Sequence, residues 1–187
     1  MLSEHKGEMI FIGIAMSLYL VMAAFDASQK FVYLAVLFGL FGLIIAWKIF
    51  ESVDDEPAGN EKMTEIADSI HEGAMVFLSR EYKVLGYFVG GVFILLLILI
   101  SVQKGLWIGL WTAIAYATGA GCSMLAGYFG MNAATTSGVR TSQAALDGGQ
   151  AKALNIAFNG GAVMGLCVAS LGLIGVGGLF TLFGRGD

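Results

Sequence analysis

Five stretches of this chain contain no charged residue and are long enough, or nearly long enough, to cross a lipid bilayer as helices. A helix needs about 20 mostly apolar residues to cross the ~30 Å hydrocarbon layer. The stretches are residues 9–25, 31–47, 84–102, 106–131 and 153–184. They are apolar throughout and do not alternate apolar with polar residues, which argues against transmembrane β-strands. The sequence therefore predicts an all-α, polytopic transmembrane helix bundle with about five spans.

The overall composition agrees with a membrane protein. Hydrophobic residues make up 57% of the 187 residues and charged residues only 13%, whereas a soluble domain carries about 25% charged residues. The formal net charge is −4, so the chain lacks the basic surface that nucleic-acid binding requires. Cys122 and Cys167 lie inside apolar stretches, where a thiol is usually buried, and they do not indicate a disulfide framework.

The first apolar stretch has two interpretations. Residues 1–30 form either an extra N-terminal transmembrane helix or a signal-like segment that is cleaved. The signal interpretation rests on Lys6 before the apolar stretch and on small residues at Ala23, Ala24 and Ala27. The stretch itself has 17 residues, more than the ~7–15 of a typical signal, which favours the helix. Residues 31–187 are predicted to form a four-helix membrane segment.

Basic residues outside the spans predict the orientation. If all five stretches cross, one side receives seven basic residues, namely Lys6, Lys48, Lys62, Arg80, Lys83, Arg140 and Lys152. The other side receives three, Lys30, Lys104 and Arg185. Because cytoplasmic loops carry an excess of Lys and Arg, we expect a multi-pass cell-membrane protein with residues 48–83 and 132–152 in the cytoplasm and the C-terminus outside.

One polar stretch, residues 51–83, contains twelve of the 24 charged residues. Its beginning is predicted to be a loop, because Pro57 and Gly59 stop a helix, and Asn60 is a candidate N-cap for the next one. Apolar residues then recur at a spacing of three and four, which indicates one face of an amphipathic helix. These residues are Met63, Ile66, Ala67, Ile70, Ala74, Phe77 and Leu78. We expect this cytoplasmic helix to continue into the span that starts at Val84.

The acidic run Asp54, Asp55 and Glu56 is a candidate Mg²⁺ site, since hard cations prefer carboxylate oxygens. Three adjacent acids in a loop are, however, more often only solvated. His71-Glu72 lacks the second His of a zinc-protease helix. None of the five stretches contains Asp, Glu, Lys, Arg or His, which pumps and channels usually carry within their spans. The residues alone therefore assign no catalytic, cofactor-binding or metal-binding residue.

Glycine pairs indicate where helices approach each other closely. Gly86 with Gly90 and Gly161 with Gly165 have the four-residue spacing of small-residue packing motifs in membrane helices. We expect both pairs to lie at contacts between helices. The last stretch is longer than one crossing, and we expect it to begin near Asn155 and Asn159 and to fray at Gly177 and Gly178.

Three segments resemble membrane-bound, ion-translocating pyrophosphatases, in the order and spacing of that family. The first, similar to the loop and helix after the family's first conventional span, comprises residues 59–63 (Gly-Asn-Glu-Lys-Met), 66–67 and 72–83. The second, similar to the third span and the cytoplasmic loop after it, comprises residues 127–132 (Gly-Tyr-Phe-Gly-Met-Asn), 139–141 (Val-Arg-Thr) and 144–145. The third, similar to the fourth span, comprises residues 152–154, 157–158, 160–165 and 171–173. Gly138 departs from the family, which usually has Asn there.

The resemblance implies that this chain is part of an ion pump. Members of the family hydrolyse pyrophosphate with Mg²⁺, and in some cases K⁺, drive H⁺ or Na⁺ outward, and form homodimers in the lipid bilayer. The chain is similar only to their N-terminal outer-ring helices and lacks the Asp-rich catalytic motif of the helix that follows. It is therefore expected to bind no cofactor itself, to associate with the remaining pump helices or a complementary fragment, and to be inactive alone. The alternative is a non-catalytic membrane scaffold or assembly subunit derived from the family.

Overall fold

A computed structural model describes residues 30–183, together with Gly13, Met16 and Ser17. Residues 30–183 form four helices, namely α1 (Lys30–Asp54), α2 (Glu61–Lys104), α3 (Leu106–Asp147) and α4 (Gly149–Phe183). All four are long and apolar enough to cross a membrane, which confirms the prediction of an all-α, multi-span protein. The predicted span at residues 9–25, and with it the choice between a helix and a signal-like segment, falls outside the described residues apart from those three positions.

The four helices pack in the order α2, α3, α4, α1, and neighbours in this row run antiparallel. Small side chains fill the contacts between them. One buried cluster comprises Ala46, Ala133, Val163 and Cys167. A second comprises Val53, Ala144, Ala153 and Ile156. The second cluster lies at the polar end of the row, which we define as the end where α1 connects to α2 and α3 connects to α4.

Three helices extend further than the sequence predicts. The helix over residues 31–47 continues to Asp54, where Val53 is only 2% exposed. The helix over residues 106–131 continues through the predicted loop to Asp147. The last helix begins at Gly149, before the predicted start near Asn155 and Asn159, and it is continuous through Gly177 and Gly178 without fraying there. The predicted helix ends were wrong because charged residues end an apolar stretch without ending the helix, whose polar extension packs against its neighbours. The predicted fraying was wrong because Gly177 is buried in the contact with Val36 of α1.

The start of α2 follows the sequence prediction closely. The side-chain Oδ1 of Asn60 accepts a hydrogen bond from the backbone N–H of Met63 at 3.0 Å, as an N-cap does. Gly59 before it has φ +96°, a conformation that favours glycine. From Glu61 the helix runs unbroken for 44 residues, or about 66 Å at 1.5 Å per residue. The polar stretch and the following span are therefore one helix.

Glycines do allow close helix approach, but at positions other than those predicted. A Cβ on Gly160 would lie 2.6 Å from the Cβ of Ser137, and a Cβ on Gly39 would lie 2.8 Å from the backbone oxygen of Ser170. Within residues 30–183, no neighbouring atom lies within 4 Å of a Cβ built on the predicted pairs, namely Gly86, Gly90, Gly161 and Gly165. For contacts among these four helices the prediction was wrong, because a four-residue spacing shows that two residues share a face, not which face meets a neighbour.

Candidate functional site

The most connected polar side chain in the described part of the chain is Arg140, on the polar extension of α3. Its Nη2 contacts Oδ1 of Asp54 at 2.6 Å and donates to the backbone carbonyl of the same residue at 2.9 Å. Its Nε donates to the carbonyls of Asp54 at 3.2 Å and Glu56 at 3.1 Å. Its Nη1 donates to the backbone carbonyl of Thr136, on the same helix, at 3.0 Å. One guanidinium thus caps the C-terminal end of α1 and holds the loop after it.

A second ion pair extends this arrangement to α4. Nζ of Lys152 lies 2.8 Å from Oε2 of Glu56. The connection after α1 is therefore held by a cation from α3 and a cation from α4. We call Asp54, Glu56, Arg140 and Lys152 the polar-end tie. The side chain of Arg140 is only 15% exposed, whereas that of Asp54 is 46% exposed, so the guanidinium is largely covered and its bonds to Asp54 face the solvent.

The polar-end tie decides how the acidic run can be used. Two of the three carboxylates in the acidic run, those of Asp54 and Glu56, are paired with cations, and Asp55 is exposed. A Mg²⁺ ion would have to displace Arg140 and Lys152 to bind there, so this arrangement does not fit a Mg²⁺ site. Among the residues that the structure describes, no three His, Cys, Asp or Glu side chains lie close enough together to hold a metal ion.

His71 also contacts a neighbouring helix. Its Nδ1 lies 2.8 Å from Oγ1 of Thr135 on α3, so it joins α2 to α3. A shallow groove of about 530 Å³ beside it is lined from α2 by His71, Glu72, Met75, Val76, Ser79, Arg80 and Lys83. All of these residues come from one surface of α2. No other helix in residues 30–183 lines the groove, so it does not form an enclosed substrate site.

Comparisons of the sequence with known proteins identify the family of this chain. Residues 40–187 match the family model described as inorganic H⁺ pyrophosphatase. The chain belongs to the inorganic H⁺ pyrophosphatase family. The earlier resemblance to ion-translocating pyrophosphatases is thereby confirmed.

Relatives within the inorganic H⁺ pyrophosphatase family include pumps for two ions. A K⁺-insensitive pyrophosphate-energized proton pump of Methanosarcina mazei is 42% identical over 159 residues, which are 85% of this chain and 23% of that protein. A proton pump of Pyrobaculum aerophilum with the same description is 39% identical, covering 82% of this chain and 21% of that protein. A K⁺-stimulated pyrophosphate-energized sodium pump of Thermotoga maritima is 36% identical, covering 82% and 20%. The chain spans about a fifth of the length of these relatives.

The role of Arg140 in this pyrophosphatase-family chain was not predicted from the sequence. Its most informative signal was its place in the Val-Arg-Thr segment at residues 139–141, which contributed to the family resemblance. Nothing in the local pattern indicates partners on a loop more than 80 residues earlier in the chain.

Replacing Arg140 is expected to loosen the polar end. Arg140→Ala should lower the unfolding free energy of the chain in detergent by about 1–3 kcal/mol, because the carbonyls of Asp54 and Glu56 and the half-exposed Asp54 carboxylate lose a charged donor. Arg140→Lys should recover only part of this, since an ammonium cannot reproduce the guanidinium fork. Lys152→Ala is the matched control at the more exposed pair and should cost no more than about 1 kcal/mol. An equal loss from Lys152→Ala and Arg140→Ala in thermal unfolding would contradict the central role of Arg140.

Proposed function

We propose that this chain is the N-terminal membrane part of a pyrophosphate-energised proton or sodium pump, and that it does not hydrolyse pyrophosphate alone. The observation that carries the proposal is the match of most of the chain to about a fifth of each pump's length. In this proposal residues 31–187 are a four-helix membrane segment, and residues 1–30 are a preceding helix or signal-like segment. The remaining pump helices, or a complementary fragment, complete the molecule in the bilayer, and the complete assembly is a homodimer.

The chemistry of the polar end supports a structural role for this chain and a catalytic role for the remainder of the pump. Hydrolysis of a metal-bound pyrophosphate requires several carboxylates that hold metal ions against the phosphate oxygens and position a water molecule. In this chain Asp54 and Glu56 instead neutralise Arg140 and Lys152. The polar-end tie fits a structural role, since it fixes the end of α1 against α3 and α4. Mg²⁺, and K⁺ where a pump responds to it, would be bound by the remainder of the pump.

Co-purification tests whether the chain belongs to such an assembly. The full chain would be co-expressed with a tagged fragment of the Methanosarcina mazei pump that lacks the stretch matched by this chain. We expect the chain to co-purify with that fragment in detergent at a stoichiometry near one to one. An unrelated multi-span membrane protein with the same tag is the control. Equal recovery with the control, or no recovery with the fragment, would contradict the proposal.

We also propose an orientation, with residues 48–83 and 132–152 in the cytoplasm. It rests on the seven-to-three excess of basic residues on that side. Single cysteines at Asp55→Cys and Asp147→Cys, in a background with Cys122→Ala and Cys167→Ala, are expected to resist an impermeant maleimide on intact cells. Lys104→Cys, at the opposite end of α2, is the control that should react. Labelling of the first two positions from outside would reverse the orientation.

A further inference from the structure

Helix α2 carries an apolar stripe that no described residue covers. Its members recur at alternating spacings of four and three residues, which is a heptad pattern, and all are exposed. The stripe comprises Ile66, Ile70, Phe77, Val84, Tyr87, Ile94 and Ile98, with Gly73, Arg80 and Gly91 at the intervening positions. We call these ten positions the α2 stripe. It runs as one continuous stripe from the polar segment of α2 into the membrane segment.

The contact between α2 and α3 uses a different face. His71 contacts Thr135, and the hydroxyl of Tyr82 donates to the backbone carbonyl of Met124. The apolar residues Met63, Ala67, Ala74 and Leu78 lie on this side and are half-buried. The sequence-predicted amphipathic face is therefore divided in two. Part of it packs on α3, while Ile66, Ile70 and Phe77 remain 53%, 59% and 57% exposed.

Lipid can cover only the second half of the α2 stripe. Residues 61–83 contain eight charged side chains, which are too costly to place in hydrocarbon. They extend about 35 Å along the helix at 1.5 Å per residue, and so project well beyond the hydrocarbon layer. Ile66, Ile70 and Phe77 then face either water or protein. An aligned apolar stripe that continues from the membrane into the aqueous region marks a protein contact more than it marks a lipid contact.

The pattern and the charge of the stripe indicate its occupant. A repeat of 3.5 residues keeps one seam of a helix facing a second helix over many turns. Arg80 lies in the middle of the stripe, is exposed, and is not ion-paired with a carboxylate in residues 30–183. A second copy of this chain related by a two-fold axis along the membrane normal would place Arg80 against Arg80, which like-charge repulsion disfavours. In these relatives the sequence outside the matched stretch is between about three and four times as long as that stretch, and it can supply a different helix.

We propose that the α2 stripe docks one helix from the remainder of the pump, which runs alongside α2 through the membrane and continues past it at the polar end. That helix presents apolar side chains at heptad spacing and an oxygen-bearing side chain at the level of Arg80. The proposal rests on the proposed function and names the surface through which the missing part binds. It also assigns Ile66, Ile70 and Phe77 a role that neither lipid nor α3 provides.

Alkylation of single cysteines tests this docking. Ile70→Cys and Phe77→Cys report on the stripe, and Asp68→Cys and Glu72→Cys, on the far side of the same segment, are matched controls. All four are made in the full chain with Cys122→Ala and Cys167→Ala. The rate of reaction with a charged, water-soluble maleimide is measured in detergent for the chain alone and for the purified complex with the tagged Methanosarcina mazei fragment. In the complex, the stripe cysteines should react at least about tenfold more slowly and the controls less than about twofold more slowly, because a packed interface excludes water.

The outcomes separate the docking from the proposed function. A complex that forms while Ile70→Cys and Phe77→Cys keep their full reactivity would overturn the docking and leave the proposed function standing. Slow reaction at both positions in the chain alone, together with a dimeric mass, would assign the stripe to a second copy. If the fragment does not bind any of the variants or the parent chain, the proposed function fails and the docking fails with it.

Discussion

Gly160→Leu is expected to destabilise the chain, lowering its unfolding free energy in detergent by about 1–3 kcal/mol, the usual cost of overpacking a well-packed contact. A Cβ at Gly160 would lie 2.6 Å from the Cβ of Ser137, which is closer than two non-bonded carbon atoms can approach. Ser137 is buried on α3, and its Cβ is fixed to the backbone, so no rotamer change relieves the contact. The two helices must therefore move apart and lose packing along their length.

Gly161→Leu is the matched control, one residue further along the same helix. Among the described helices nothing lies within 4 Å of a Cβ built there, so the new side chain starts in open space. Since leucine is also the better helix former by a fraction of a kcal/mol, we expect the melting temperature of the chain alone to stay the same or rise slightly. If Gly161→Leu were as harmful as Gly160→Leu, the contact face of α4 would be assigned wrongly.

The comparison of these two glycines shows what the sequence could and could not predict. Uninterrupted apolar stretches predicted the existence of α1 to α4, because a bilayer leaves few alternatives to a helix. Pro57, Gly59 and Asn60 located the start of α2, because their effects on the backbone are local. The rotation of each helix about its axis depends on its neighbours, and one residue corresponds to about 100° around a helix with 3.6 residues per turn. The choice of Gly161 in place of Gly160 is an error of that kind.

Helix ends and the polar-end tie were harder to predict for the same physical reason. Asp54, Asp55 and Glu56 look like a solvated loop or a cation site when they are considered alone. Their partners, Arg140 and Lys152, lie 86 and 96 positions further along the chain than Asp54 and Glu56, respectively. Only the packing of α3 and α4 against α1 brings these charges together. The extension of α3 beyond Met131 depends on that packing as well, because Ala133 and Ala144 are buried by it.

If this chain is one part of a pyrophosphate-energised pump, as proposed, the largest expected effect of joining it to the remainder is on activity. The purified chain is expected to release no phosphate from pyrophosphate at any Mg²⁺ or K⁺ concentration. Its paired carboxylates cannot hold metal ions against a phosphate group while they neutralise Arg140 and Lys152. The complex with the remainder of the Methanosarcina mazei pump is expected to hydrolyse pyrophosphate, and in liposomes to move cations at the same time.

Phosphate release from liposomes is therefore the most direct measurement, made with the chain alone, with the pump fragment alone, and with both together. Hydrolysis is expected only when both are present, with cation transport appearing in the same samples. The fragment alone is the control for residual activity. Mg²⁺-dependent turnover by the chain alone, abolished by Asp54→Asn together with Asp55→Asn, would place an active site in this chain and overturn the proposed function.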